Sequence, residues 1–171
     1  MYFKVQYNRM AMTKLEKIMK DQDVKKATKI KIAEIKIFPT LTNRSESWIV
    51  RKKERKKIDA FELWMWRRIL QVPWTDRMNL SVLDKVKPKR SQEATILRLR
   101  LHYFGHVMRA KGSLEQDIII GQIAGYRRQG KPWMHWLDSI KEAIGLQLEV
   151  LKETVQDRKK MAHAGGRKDL E

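Results

Sequence analysis

Cysteine is absent from the 171 residues. That zero excludes disulfide scaffolds, thiolate zinc fingers and cysteine nucleophiles; it fits a cytosolic or nuclear life without fixing the compartment. Long apolar runs are also missing. The longest are a few residues, far short of the ~20 a membrane helix needs, and "MYFKVQYNRM" lacks the apolar core of a signal peptide. The expectation is a soluble intracellular protein, nuclear or cytoplasmic, not secreted and with no membrane partner. Acidic residues are scarce: 20 Asp and Glu face 38 Lys and Arg, leaving a net charge of +18. Such a balance favours polyanion partners, because phosphates and their counterions reward clustered cations.

What the chain does contain reads as helix. Met12, Leu15, Ile18 and Met19 in "MAMTKLEKIMKDQD" have helical spacing. Ile30, Ala33 and Ile37 follow in "KKATKIKIAEIKIFP", where the Ile-Lys-Ile alternation also fits a strand and Pro39 is expected to end or kink the element. "TNRSESW" reads as a turn. "RKKERKKIDAFELWMWRRILQV" is the strongest helix: Ile58, Phe61, Met65, Ile69 and Val72 make a core face, and Leu63, Trp66 and Leu70 a second stripe. Trp64 and Trp66 sit two residues apart, so a helix points them to roughly opposite sides. One is expected in the local core. The other requires a different cover, either something absent from this chain or a neighbouring helix such as "PWMHWLDSI".

Asn79 is placed as the cap of "LSVLDKV", and Ser91 as the cap of "QEATILRLRLHYFGHVMRAK", with Ile96, Leu99, Tyr103 and Met108 on its apolar side and Leu97, Leu101 and Phe104 nearby. "DIIIGQIAGYRRQGKPW" carries β-branched residues and glycines and is expected to hold short strands or a hairpin near 116–133. Pro132 suits the start of a helix that Gly145 terminates, and "LQLEVLKETVQDRKKMAHA" is a last helix before a frayed tail. The fold class is therefore mainly α, an irregular helical bundle with one small extended element. Segments fall at 1–50, 51–111, 112–164 and a disordered tail at 165–171.

Catalytic constellations are missing. His102 and His106 form an H-x3-H pair on one helix face, but Tyr103 stands where a metalloprotease needs glutamate, and no third ligand lies at the right spacing. "GQIAGYRRQGK" has neither GK[ST] nor GxGxxG, and no aspartate pair follows an apolar strand to hold two metal ions. No catalytic residue, metal ligand or cofactor is assigned.

Basic clusters remain. "RKKERKK" supplies Arg51, Lys52, Lys53, Arg55, Lys56 and Lys57 at the head of the tryptophan helix; "VKPKR" is shorter. In "GYRRQGKPW", Arg127, Arg128 and Lys131 lie among glycines, bracketed by Tyr126 and Trp133. Glycine lets a backbone approach phosphate, arginine supplies a two-pronged donor, and an aromatic stacks on a base. These residues are assigned to RNA or DNA contact, with Tyr126 and Trp133 as stacking candidates.

The pieces "AMTKLEKIMK", "ATKIKI…FP", "SESW", "IDAFELWMWRRILQVPWTDR", "LRLHYFGHVMRAKGSLE", "G…AGYRRQGKPWMHWLDSI" and "LKETVQDR" follow one another in order. Their order resembles the C-terminal part of the endonuclease–reverse transcriptase of non-LTR (LINE-type) retrotransposons of the RTE clade, over nearly the whole chain from Ala11 to Arg158. The resemblance implies a region lying after the polymerase centre, in the thumb (here 1–50) and the helices beyond, gripping a template–primer duplex or packing on missing polymerase domains. The endonuclease residues and the F/Y-x-D-D aspartates have no counterpart, so the implied piece is catalytically inert alone. The chain departs from the family in three places. Asn43 and Arg44 replace a Tyr-Gly pair before "SESW", Met65 replaces a small residue, and "DRKKMA" replaces D-R-x-x-W-R. These changes imply a truncated, diverged copy. The alternative is a domesticated, self-standing architectural or protein-interaction module.

Overall fold

The computed structural model describes residues 2–73, 75, 79–88, 90–110, 112–120 and 134–156. It is mainly helical. The chain divides into two compact units: Met1–Asn43 with Lys52–Glu93, and Arg44–Arg51 with Ala94–Glu171. The sequence segment 51–111 is thereby shared between them. Its tryptophan helix belongs with the N-terminal helices, and most of its second long helix belongs with the C-terminal ones.

In the first unit, α1 (Tyr2–Lys14) is followed by α2 (Glu16–Lys20) after a break at Leu15, which leaves Met12 and Met19 buried and Ile18 exposed. The chain then runs through α3 (Lys26–Ile32) and a π-helical turn (Ala33–Ile37) into α4 (Phe38–Thr42). The Ile-Lys-Ile alternation is helical rather than extended. Pro39 falls in the first turn of α4. The wider π turn shifts the hydrogen-bond register just ahead of a ring that would otherwise meet the carbonyl four residues back. Lys29, itself buried, donates from Nζ to the carbonyls of Met19 at 2.8 Å and Asp21 at 2.6 Å, satisfying groups that the end of α2 leaves open.

The tryptophan helix α5 (Lys52–Ile69) buries Ile58, Phe61, Met65 and Ile69 as its core face, and Trp66 beside them. Phe38 meets Trp66 edge-on, with ring centroids 5.3 Å apart. Glu62, 5% exposed, accepts the Trp66 indole N–H at 3.3 Å and the Gln92 backbone N–H at 2.7 Å. Its carboxylate thus caps the first turn of the helix that follows, where the peptide dipoles favour negative charge. The C-terminal end of α5 closes with Gln71 at φ 56°, the Val72 N–H bonding the Arg67 carbonyl at 2.9 Å and the Gln71 N–H the Arg68 carbonyl at 3.3 Å. This is the Schellman arrangement with glutamine in the left-handed position. Helix α6 (Asn79–Val86) adds the buried Val82.

The second unit is built on α7 (Gln92–Arg109), α8 (Leu114–Ile120), α9 (Trp136–Ile144) and α10 (Leu148–Gln156). Leu97, Leu101, Phe104, Leu137, Ile140, Ala143 and Leu151 make its core. The buried side of α7 includes Ile96, as expected, but is centred on the neighbouring Leu97, Leu101 and Phe104 rather than on 99, 103 and 108; Leu99 is 38% exposed, and Tyr103 and Met108 are half-buried. Arg100 explains the shift. It is 1% exposed, and its Nη2 donates to the Trp136 carbonyl at 3.1 Å and to the Ser139 hydroxyl. The Trp136 indole N–H reaches back to the Glu46 carbonyl at 2.7 Å, so the "SESW" turn is tied to α9.

Residues 116–120, expected as part of a strand or hairpin, are helical in α8. Ser113 accepts the Glu115 N–H at 3.2 Å and donates to the Glu115 carboxylate, holding that group below its ordinary range. Ile119 packs on the helical core. The start closed by Ser113 and the partial packing of Ile119 accompany helix here in spite of the β preference of three successive isoleucines. The rest of 116–133 lies outside the described residues. Gly145 ends α9 as expected, in the left-handed region at φ 75°.

Arg44 also sits in the left-handed region, at φ 55°. A side chain there costs about 1–2 kcal/mol, partly offset by the looser unfolded state of glycine. Arg44→Gly is therefore expected to stabilise the chain by up to about 1 kcal/mol, and Arg44→Val to destabilise it; urea unfolding of the three proteins measures both. Glu62→Ala strands two buried donors and is expected to cost about 3 kcal/mol in the same measurement.

Candidate nucleic-acid interface

The charge is unevenly divided. The first unit carries 22 Lys and Arg against 10 Asp and Glu, the second 16 against 10. Within the first unit the densest cluster heads α5, whose rotation is set by the burial of Ile58, Phe61, Met65 and Trp66. At about 100° per residue, Lys53, Lys56 and Lys57 then fall within about 100° of the circumference with no acid between them. All three are exposed, as are Arg51 and Lys52. Arg55 is turned the other way. Its side chain is 12% exposed and its guanidinium stands 3.7 Å from Glu93, so it is the least available of the six cluster residues.

These cations occupy an unfavourable place. The N-terminus of a helix carries roughly half a positive charge, and each cation in its first turn costs about 0.3–1 kcal/mol. Glu54 is the only acid in the first turn of α5. The local field there is positive from backbone and side chains alike, which suits an anion.

Further along the same side stands Trp64, half-buried. The second tryptophan is covered from within the first unit. Phe61 stacks against it at 5.9 Å between centroids, and the guanidiniums of Arg9 from α1 and Arg68 lie 5.5 and 5.3 Å from its ring centre. Arg68 also pairs with Glu16 at 2.7 Å, as does Lys20 at 2.7 Å. The signal for this cluster was present as "WRR", but nothing local could bring Arg9 or Glu16 to it.

Tyr126, Arg127, Arg128, Lys131 and Trp133 lie outside the described residues. His102 and His106 are exposed on α7. Among the described residues no three His, Cys, Asp or Glu side chains gather where a metal ion would fit, and no described helix is long and apolar enough to cross a membrane. Exposed apolar side chains recur: Tyr7 and Met10 lie one turn apart on α1, and Leu114 and Ile118 one turn apart on α8.

No protein-family model, curated protein or solved structure matches the chain.

The Lys20 hydrogen bond, followed by the charges of Arg68 and Lys20, holds the Glu16 carboxyl below its ordinary value of 4.5. A depressed folded value means that the pairing contributes fully above pH 4.5 and is lost as pH falls through the folded value. Acid unfolding monitored by circular dichroism is expected to show a shallower loss of stability in Glu16→Gln than in the parent across that window.

Proposed function

We propose that the chain is a truncated non-LTR retrotransposon reverse-transcriptase C-terminal region, catalytically inert alone, that binds RNA or DNA through the sugar-phosphate backbone with little sequence choice. The observation that carries the binding is the exposed lysine cluster at the positive end of α5. Side chains that raise the energy of their own helix are relieved when a polyanion arrives, and each neutralised phosphate releases counterions. Arg127, Arg128 and Lys131 would add the two-pronged contacts that arginine makes with phosphate, with Tyr126 and Trp133 as stacking partners.

The ancestry rests on the collinear motifs. Two features favour it. The motif residues Phe61, Glu62, Trp66, Phe104, Trp136, Leu137 and Ser139 are packing and hydrogen-bonding residues of the two units, the kind of position a divergent copy keeps longest if it still folds. The left-handed backbone at Arg44 falls where the family has glycine. The exposed apolar pairs on α1 and α8 fit faces that missing polymerase domains would cover.

Fluorescence anisotropy with labelled 20-nucleotide RNA and DNA tests the binding. Affinity is expected to fall steeply between about 50 and 200 mM salt. Replacing Lys53, Lys56 and Lys57 together by alanine is expected to reduce the log–log salt slope by about 2–3. A flat salt response in the parent protein refutes the electrostatic mechanism. For ancestry, an F/Y-x-D-D motif in the coding sequence upstream of Met1 is expected; ordinary intact exons there would favour the self-standing module.

A further inference from the structure

The lysine sector of α5 does not end in neutral surface. Counting about 100° per residue, Lys53, Lys57, Trp64 and Arg68 project within about 60° of one another along the helix. Lys53 and Arg68 are fifteen residues apart, about 22 Å at 1.5 Å per residue. That distance equals roughly six phosphates of one duplex strand at 3.4 Å of rise each. At the far end the line meets Arg9, brought in by α1.

Trp64 is poorly suited to be a base-stacking platform, because Phe61 and two guanidiniums already occupy its ring. Its physical effect is on the arginines. A guanidinium within about 6 Å of an indole centroid is attracted to the ring, which restricts where the side chain goes without using up its N–H donors. Arg9 is exposed. Arg68 turns one edge nitrogen to Glu16, which Lys20 shares. Arg9, Arg68 and Lys20 together outnumber the single carboxylate, leaving a local charge of +2. Oriented planar donors in a net positive corner are the arrangement that phosphate oxygens accept most strongly.

We infer that Arg9 and Arg68, ordered by Trp64, form a second phosphate-binding point. The same strand that meets the α5 lysines therefore continues to the C-terminal end of that helix. This rests on the nucleic-acid reading above. Glu16 competes with the phosphate for Arg68, so the carboxylate restrains the site rather than building it. A nucleic-acid backbone is preferred over a lipid surface as the occupant because the cations form a line along one helix. The apolar side of α5, Ile58, Met65, Trp66 and Ile69, is buried in the unit's own core and is not available to enter a membrane.

The full chain and four variants are compared by anisotropy with a labelled 20-nucleotide duplex across the same salt range. Arg9→Ala, at an exposed helix position, is expected to weaken binding several-fold and to lower the salt slope by about 1. Arg9→Lys keeps the charge but not the planar stack, and is expected to retain the parent slope with intermediate affinity. Glu16→Gln is expected to tighten binding several-fold. The combined Lys53, Lys56 and Lys57 alanine variant reports on the lysine sector alone. If Arg9→Ala binds with the parent's affinity and slope, or if Glu16→Gln fails to bind more tightly, the inference is overturned. A weakened lysine variant in that case would leave the general proposal standing. A parent chain that ignores oligonucleotides yet partitions onto phosphatidylserine vesicles overturns both.

Discussion

Everything that α5 displays depends on the burial of Trp66. Once its ring is set against Phe38 of α4, and the Glu62 carboxylate that accepts its N–H is held by the Gln92 backbone, the rotation of the helix is set. The angular positions of Lys53, Lys57, Trp64 and Arg68 follow from that one anchor through helical geometry. Removing a buried ring of this size costs about 3–5 kcal/mol, a large part of the stability of a small domain. The surface proposed to face a partner and the core that holds the unit together are therefore two sides of one helix. A change on the inner side would turn the outer side away.

The interior polar groups work in the same way. Glu62 joins the tryptophan helix to the first turn of α7, Arg100 joins α7 to α9, and Lys29 closes the end of α2. Each is a charged side chain taken out of water and surrounded by groups that satisfy it, so its loss would leave the partners stranded. These residues fix the angle at which one helix meets the next more closely than apolar packing can, since hydrogen bonds are directional and hydrophobic contact is not.

Motif residues and interface residues separate cleanly. The residues that carry the family resemblance, such as Phe61, Glu62, Trp66 and Trp136, are structural. The cations proposed to meet nucleic acid lie between or beside them. A copy that drifts can lose surface charges one at a time with small effects on folding, whereas each core residue lost removes several contacts at once. The left-handed Arg44 fits that picture: a strained residue is tolerated at a turn where Lys4 and Ser47 also bond the backbone.

The helical character, the absence of thiol chemistry, the core face of α5 and the termination of α9 at Gly145 were legible in the sequence, because each depends on periodicity or on a single residue's backbone preference. The core side of α7 was not fully so. Its buried arginine reads as solvent-facing until the Trp136 carbonyl and Ser139 hydroxyl arrive from 36 and 39 residues away. Nor was α8, where local β preference predicted extended chain and packing chose helix. The cover of Trp64 was likewise decided in three dimensions, by an arginine from α1 that shares no local pattern with it. Local sequence determines which groups must be hidden; only the folded chain decides what hides them, since any apolar or charged neighbour can do so and distance along the chain sets no limit on which one does.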